Sequence, residues 1–248
     1  MSTTLLEGIF IADASTWPLW FGVAFASVVI AGMSVLSIIV PEIWGGAVKI
    51  PVKGKHLDKF ESQDLLFITI NKLLTALFVY HVIHVCYYAE GIKLAHEDAT
   101  VLNTVGSLAC FYAMYDFLYM WFHRILHIPA LYPLVHKHHH RQKAPSRGNL
   151  DAINVHPFEF LVGEYLHLLT VYTVPCHVYA VVVFILAGGI LASLNHTRYD
   201  VNIPGFFSVK VHDVHHRVPM SNYAQYTMFW DKLHGSYRDY DHVKNTEE

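Results

Sequence analysis

The chain has 248 residues and a formal net charge of -3, with 54% of its residues hydrophobic and only 15% charged. That balance is too apolar for an ordinary soluble domain and carries no basic excess that would hold nucleic acid, so a membrane protein is the first architecture to test. Cys86, Cys110 and Cys176 all sit in apolar stretches without a C-x-x-C pair, which argues against a disulfide framework or a thiolate metal site and for packing roles.

In chain order, the first element is an uncharged stretch from Trp17 to Val40 bounded by Pro18 and Pro41. It is long enough to cross a hydrocarbon core roughly 30 Å thick. No Lys or Arg precedes it, which speaks for a retained span over a cleaved signal. A second span is expected from Leu65 to Ala89, interrupted by Asn71, Lys72, His81 and His84, and a third from Val101 to Phe122 with Asp116 as its only charge. From Phe158 to Leu194 the chain is again apolar, but Pro175 divides it, so a helical hairpin entering and leaving on one side is expected.

Lys49, Lys53, Lys55 and Lys59 lie between the first two spans, whereas residues 90–100 hold one lysine against Glu90, Glu97 and Asp98. Cytoplasmic loops carry the excess of Lys and Arg. This predicts a lumenal or external amino terminus, a cytoplasmic loop over 41–64, a lumenal loop over 90–100, and cytoplasmic segments over 123–157 and 195–248. The predicted fold class is an all-α membrane protein of about four to five transmembrane or hairpin helices with a cytoplasmic helical metal-binding cap. Its expected organisation is a membrane region over 1–100 with two spans, a catalytic domain over 101–240, and a tail over 241–248.

Histidine, at 19 residues, is the compositional anomaly, and four clusters of it fall just past apolar spans. His123 and His127 form H-x-x-x-H, whose two imidazoles share a helical face. His136, His139 and His140 form H-x-x-H-H, as do His212, His215 and His216, and on a helix each set is expected to present three imidazoles as a tripod. His138 points away from that face. His196, in Leu-Asn-His-Thr-Arg, closes a set of nine candidate ligands.

Asp116, two turns before His123, is expected to orient a ligand, as is Asp213, while His156 is a candidate for a ligand, an orienting or a helix-start role. His81 and His84 lie too deep in the second span to join and read as polar packing or pocket residues. One H-x-x-H-H in so histidine-rich a chain is weak evidence, but two copies with H-x-x-x-H beside spans point to a shared site.

Nine neutral imidazoles exceed what one ion can use, so two metals are implied. Imidazole suits iron, zinc, copper and nickel alike. The absence of a glutamate inside the His motifs, as in H-E-x-x-H, weakens a hydrolytic zinc reading. No G-x-G-x-x-G is present to bind a nicotinamide.

In the order H-x-x-x-H, H-x-x-H-H, H-x-x-H-H, with Asp116, Tyr119 and Arg124 around the first motif and Trp230-Asp231 and Gly235 after the last, the chain resembles the fatty acid hydroxylase and sterol desaturase superfamily. The resemblance covers about residues 101–240. It implies a non-haem di-iron centre that uses O2 on a membrane lipid, a sterol, fatty acyl chain or sphingoid base, in the endoplasmic reticulum. Electrons would come from NAD(P)H through cytochrome b5 and its reductase, and Lys137, Arg141, Lys143 and Arg147 are candidates for a docking face. A desaturase or methyl-sterol oxidase on the same scaffold, and a non-catalytic zinc-binding membrane protein, are the competing readings. Tyr112, Tyr115, Tyr119 and Trp121 are candidate pocket walls or members of an interfacial belt.

Overall fold

The computed structural model describes residues 17–241; the expected lumenal amino-terminal segment, and the tail from residue 242 with His242, lie outside the described residues. The chain is an all-α membrane protein. Three helices are long and apolar enough to cross a membrane: α1 (Leu19–Trp44), α2 (Ser62–Tyr88) and α5 (Val178–Asn195). Between α2 and α5 lie α3 (Ser107–Leu126), entered through a wider π turn over Leu102–Gly106, and α4 (Pro157–Thr173). Two short helices follow, α6 (Val209–Arg217) and α7 (Phe229–Leu233). The only strands among the described residues are four of two residues each.

Composition explains the long helices. In a hydrocarbon environment every backbone N–H must bond within its own segment, and α1 presents Leu19, Val28 and Ile38 outward with no charge between Leu19 and Val40. The first span was expected to stop at Pro41, yet α1 runs through it to Trp44. The helix α2 starts at a capping box, in which the Glu61 N–H donates to Asp64 Oδ2 at 2.7 Å and the Glu61 side chain accepts the Asp64 N–H in return.

The apolar stretch around Pro175 does form two helices. Their main packing is on other helices, α4 on α2 and α3 and α5 on α1 and α3, and they meet each other where His167 lies against Phe184. The core at this crossing is aromatic, built on Phe111, Tyr115, Phe184 and Tyr226.

The two ends of the bundle differ. At one end Ile92 and Lys93 pair in parallel with Cys176 and His177, and the Ser107 hydroxyl donates to the Pro175 carbonyl at 2.8 Å. At the other end the loops are long and interlocked. The Ile50 N–H donates to the Arg198 carbonyl at 2.7 Å, and the Asn71 amide donates to the Ile153 and Val155 carbonyls at 2.8 and 2.9 Å. Asp64, in the first turn of α2, accepts from the Asn154 amide at 2.9 Å and meets the His138 ring at 3.0 Å. The first two spans are therefore tied through buried hydrogen bonds to the histidine-bearing segments.

Candidate metal centre

All nine predicted histidines converge at that second end, and all are buried. They form two groups, within each of which one nitrogen per ring lies within 4.8 Å of the others: His123, His127, His136, His140 and His215 in one, His139, His196, His212 and His216 in the other. His123 comes from the last turn of α3, with His127 capping that helix; His196 caps α5; His212, His215 and His216 lie on α6.

The expected tripods do not form. Each H-x-x-H-H sends its first and last histidines to one group and its middle one to the other. Helical rotation of about 100° per residue accounts for this on α6, since i+4 returns within about 40° of i whereas i+3 falls about 60° to the other side. The His136 segment is no regular α-helix: a π turn over Tyr132–His136 is followed by a 3-10 turn over His139–Arg141. His138 does point away, to Asn154 at 2.9 Å and Asp64.

The hydrogen bonds on the far side of each ring fix which nitrogen is bare. A carbonyl can only accept, so Nδ1 of His123, bonded to the Tyr223 carbonyl at 2.7 Å, must carry the proton. The same holds for His215 against the Ser221 carbonyl at 2.6 Å and His196 against the Ala192 carbonyl at 2.8 Å. His136 Nδ1 donates to Glu159 Oε1 at 2.8 Å.

The Nε2 atoms of these rings then present lone pairs inward. His123 Nε2 and His136 Nε2 face each other at 2.9 Å, with His140 Nε2 2.9 Å from His136 and 3.1 Å from His215. In the second group His196 Nε2 lies 3.3 Å from both His139 and His212, and His216 lies 3.1 Å from His212. Where both are bare, as at His123 and His136, nitrogens held this close repel unless a cation sits between them. The donor set therefore fits a metal ion in each group. His127 Nε2 is buried with no hydrogen-bond partner, as a ligand awaiting an ion would be.

Protonation would block ligation, and the surroundings oppose it. Burial, reinforced by the neighbouring histidines, holds His139, His140, His212, His215 and His216 well below their ordinary value and lowers His127 to about 3. Burial lowers His196 as well.

The expected orienting residues act elsewhere. Asp116 accepts the backbone N–H groups of Gln225, Tyr226 and Thr227 and bonds to no ring of the centre. Asp213 is ion-paired with Arg198 and, at 3.1 Å, with Arg217. His156 caps α4, its Nδ1 accepting from the Phe158 N–H at 3.2 Å. In all three, a backbone or arginine partner is met before any ligand.

The group that does orient a ligand is Glu159, whose only trace in the sequence is its place in the helix-start His-Pro-Phe-Glu. The Tyr223 carbonyl is held by Asp231, which accepts from the Tyr223 and Ala224 N–H groups at 2.9 and 2.8 Å, and the Ser221 peptide is held by the Asn222 N–H donating to the Ser236 carbonyl at 3.1 Å. Asn222, at φ 53, turns the chain between them; asparagine tolerates that left-handed geometry.

Two of the four basic residues expected to form a docking face are engaged within the fold. Arg141 pairs with Glu61 at 2.8 Å, and Arg147 pairs with Asp151 at 2.9 Å while lying over the Phe60 ring. Lys137 and Lys143 are exposed.

The sequence profile of the fatty acid hydroxylase family matches residues 108–236, a range that holds all nine histidines and Glu159. Similar proteins include a Delta(7)-sterol 5(6)-desaturase of Aspergillus fumigatus, 29% identical over 71% of this chain and 49% of its own length. A cholesterol 25-hydroxylase-like protein of Caenorhabditis elegans is 30% identical over 60% of this chain and 51% of its own. A Delta(7)-sterol 5(6)-desaturase of Leptosphaeria maculans is 33% identical over 52% and 36%. The chain thus spans about half the length or less of these relatives. No solved structure matches it.

Proposed function

The chain belongs to the fatty acid hydroxylase family, and from that premise we propose that it is a membrane-bound non-haem di-iron oxygenase acting on a lipid, with hydroxylation of a sterol, fatty acyl chain or sphingoid base as its reaction. The observation that carries this reading is the convergence of nine buried imidazoles in two adjacent groups, five in one and four in the other, with the bare Nε2 atoms of His123 and His136 face to face in the first. The nine histidines would hold two irons, which when bound would supply the O2 and one-electron chemistry that no side chain here can perform.

The protein's own part is positional. Glu159 and the Tyr223, Ser221 and Ala192 carbonyls fix ring tautomers, burial opposes protonation of His127, His139, His140, His212, His215 and His216, and the spans keep the lipid in a dry environment beside the centre. Residues 101–240 would form the catalytic unit, with the first two spans as its scaffold. The lysines of the 41–64 loop, which lies at the histidine end, support a cytoplasmic metal face in the endoplasmic reticulum. Electrons would arrive there from NAD(P)H through cytochrome b5 and its reductase. Desaturation is the second reading, favoured by the names of two similar fungal proteins.

The test is direct. Purified chain should contain two irons, and microsomes supplied with NADPH, isotopically labelled O2 and panels of lipids should yield one product class carrying label. A product that loses two hydrogens without label would favour the desaturase, and stoichiometric zinc without iron-dependent activity would refute the di-iron reading.

A further inference from the structure

The tyrosines of α3 are not scattered through the core but follow one another outward from the centre. Ring centroids lie 5.3 Å apart from His123 to Tyr119, 5.5 Å from Tyr119 to Tyr115, 5.3 Å from Tyr115 to Tyr226 and 5.3 Å from Tyr226 to Tyr112. Tyr112 then lines an apolar groove of about 400 Å³ with Phe206, Thr227 and Trp230. Every step is short enough for an electron to tunnel quickly between oxidisable rings.

Packing alone would account for stacked rings, but not for what surrounds Tyr226. Its hydroxyl meets His167 Nε2 at 2.7 Å, while His167 Nδ1 bonds the Gly163 carbonyl at 2.9 Å. The carbonyl must accept, so Nδ1 carries the proton and Nε2 is free to take one from the phenol. The pair also needs Gly188 on α5, where an added Cβ would stand 2.8 Å from the Tyr226 oxygen and 3.4 Å from His167 Nε2. Asp116 fixes the Tyr226 backbone from the other side, its Oδ1 accepting the N–H at 2.9 Å. A phenol with a dedicated proton acceptor and an unbroken aromatic path to a metal ligand is arranged for reversible oxidation.

We propose that Tyr226, Tyr115 and Tyr119 form an electron relay that drains an oxidising equivalent from the metal centre when no lipid is in place, so that the ligand imidazoles are spared. The proposal rests on reading the centre as a redox-active metal pair. In the step, one electron passes from Tyr226 through Tyr115 and Tyr119 to the oxidised metal pair, which is reduced by one. The phenolic proton moves to His167 Nε2, leaving a neutral phenoxyl radical and an imidazolium. An electron from the donor that reduces the centre, with the proton returned by His167, restores the pair.

The experiment is flash oxidation of the full chain in lipid nanodiscs by a membrane-soluble one-electron photo-oxidant, followed by electron paramagnetic resonance, on metal-free and ferrous protein. In metal-free protein a tyrosyl radical should form whose signal narrows when Tyr226 alone is ring-deuterated, a readout that needs no substitution. It should vanish in Tyr226→Phe, and the slowing of its formation in heavy water should be lost in His167→Phe. In ferrous protein the radical should decay as ferric iron appears, and Tyr115→Phe should abolish the fast phase of that decay with iron content unchanged.

A radical insensitive to deuteration at Tyr226 would overturn the pair. A decay indifferent to iron or to Tyr115→Phe would overturn the relay. A chain that binds only a redox-inert ion would fail the reading of the centre, while the Tyr226 radical of metal-free protein would still support the pair.

Discussion

Replacing Glu159 by Gln is the most informative change to the centre, because it alters one charge and almost no volume. His136 and Glu159 are both buried, and the Nδ1–Oε1 distance is 2.8 Å. The glutamine carbonyl can still accept the Nδ1 proton, so the tautomer survives. What is lost is the charge that strengthens the bond and makes the ring a better donor to metal; such bonds are roughly twice as strong as neutral ones. Changes to groups that orient metal-bound histidines typically cost about 10–100-fold in affinity, or roughly 1.4–2.8 kcal/mol.

Because His136 belongs to the five-histidine group and not to the other, the loss should fall on one ion. Chelator titration of the purified variant, with metal counted per chain, should show one ion leaving at about 10–100-fold lower chelator while the second is retained as in the unsubstituted protein. Parallel loss of both ions, or of neither, would refute the assignment of His136 to a single group.

Three further outcomes are expected. Asp231→Asn weakens the acceptor for the Tyr223 and Ala224 N–H groups and the Ser236 hydroxyl, and should cost about 1–3 kcal/mol in unfolding midpoint measurements, with preferential loss of metal from the five-histidine group. His138→Ala should lower thermal stability but keep two metals, whereas His139→Ala should lose the ion of the four-histidine group; equal metal loss in the two would refute the split. Metal-free protein should lose stability in acid. His139, His140, His212, His215 and His216 have folded values held well below 6.5, and His127 one of about 3, so between those pH values the unfolded chain binds protons that the folded chain does not. Stability should therefore fall from about pH 6.5 downward, as read by denaturant titration of the apo form, and a flat profile over that range would show that burial does not depress these groups.

Much of the fold was legible because membrane helices announce themselves by length and apolarity, as at Leu19–Trp44 and Val178–Asn195. The packing of α4 and α5 chiefly on other helices was not, since Pro175 marks where helices break but not which neighbours each piece takes. The convergence of eight of the nine histidines was legible from spacing, because two H-x-x-H-H copies with one H-x-x-x-H carry information that a single copy in so histidine-rich a chain does not; His196 was legible only from its place at the end of an apolar span. Their partners were less so: three are backbone carbonyls, at Ala192, Ser221 and Tyr223, which any residue could supply. Asp116 misled because its face was read from α3 alone, and the segment over 225–227 that claims its carboxylate arrives from 109 residues away or more.

The division of ligands has a consequence for how the centre is built. One group takes His123 and His127 from α3, His136 and His140 from the following turns, and His215 from α6; the other takes His139, His196, His212 and His216. Each H-x-x-H-H therefore serves both groups, two rings to one and one to the other, in opposite senses. No segment can complete a metal site alone, and neither site can form without the α6 histidines meeting the His136–His140 turns. Two ions bound there would thereby be held side by side by the same pair of segments. A shift of α6 would disturb both at once, which is why its buried Asp213 is locked between Arg198 and Arg217 and why Arg198 is in turn bonded to the Ile50 and Pro51 carbonyls beyond α1.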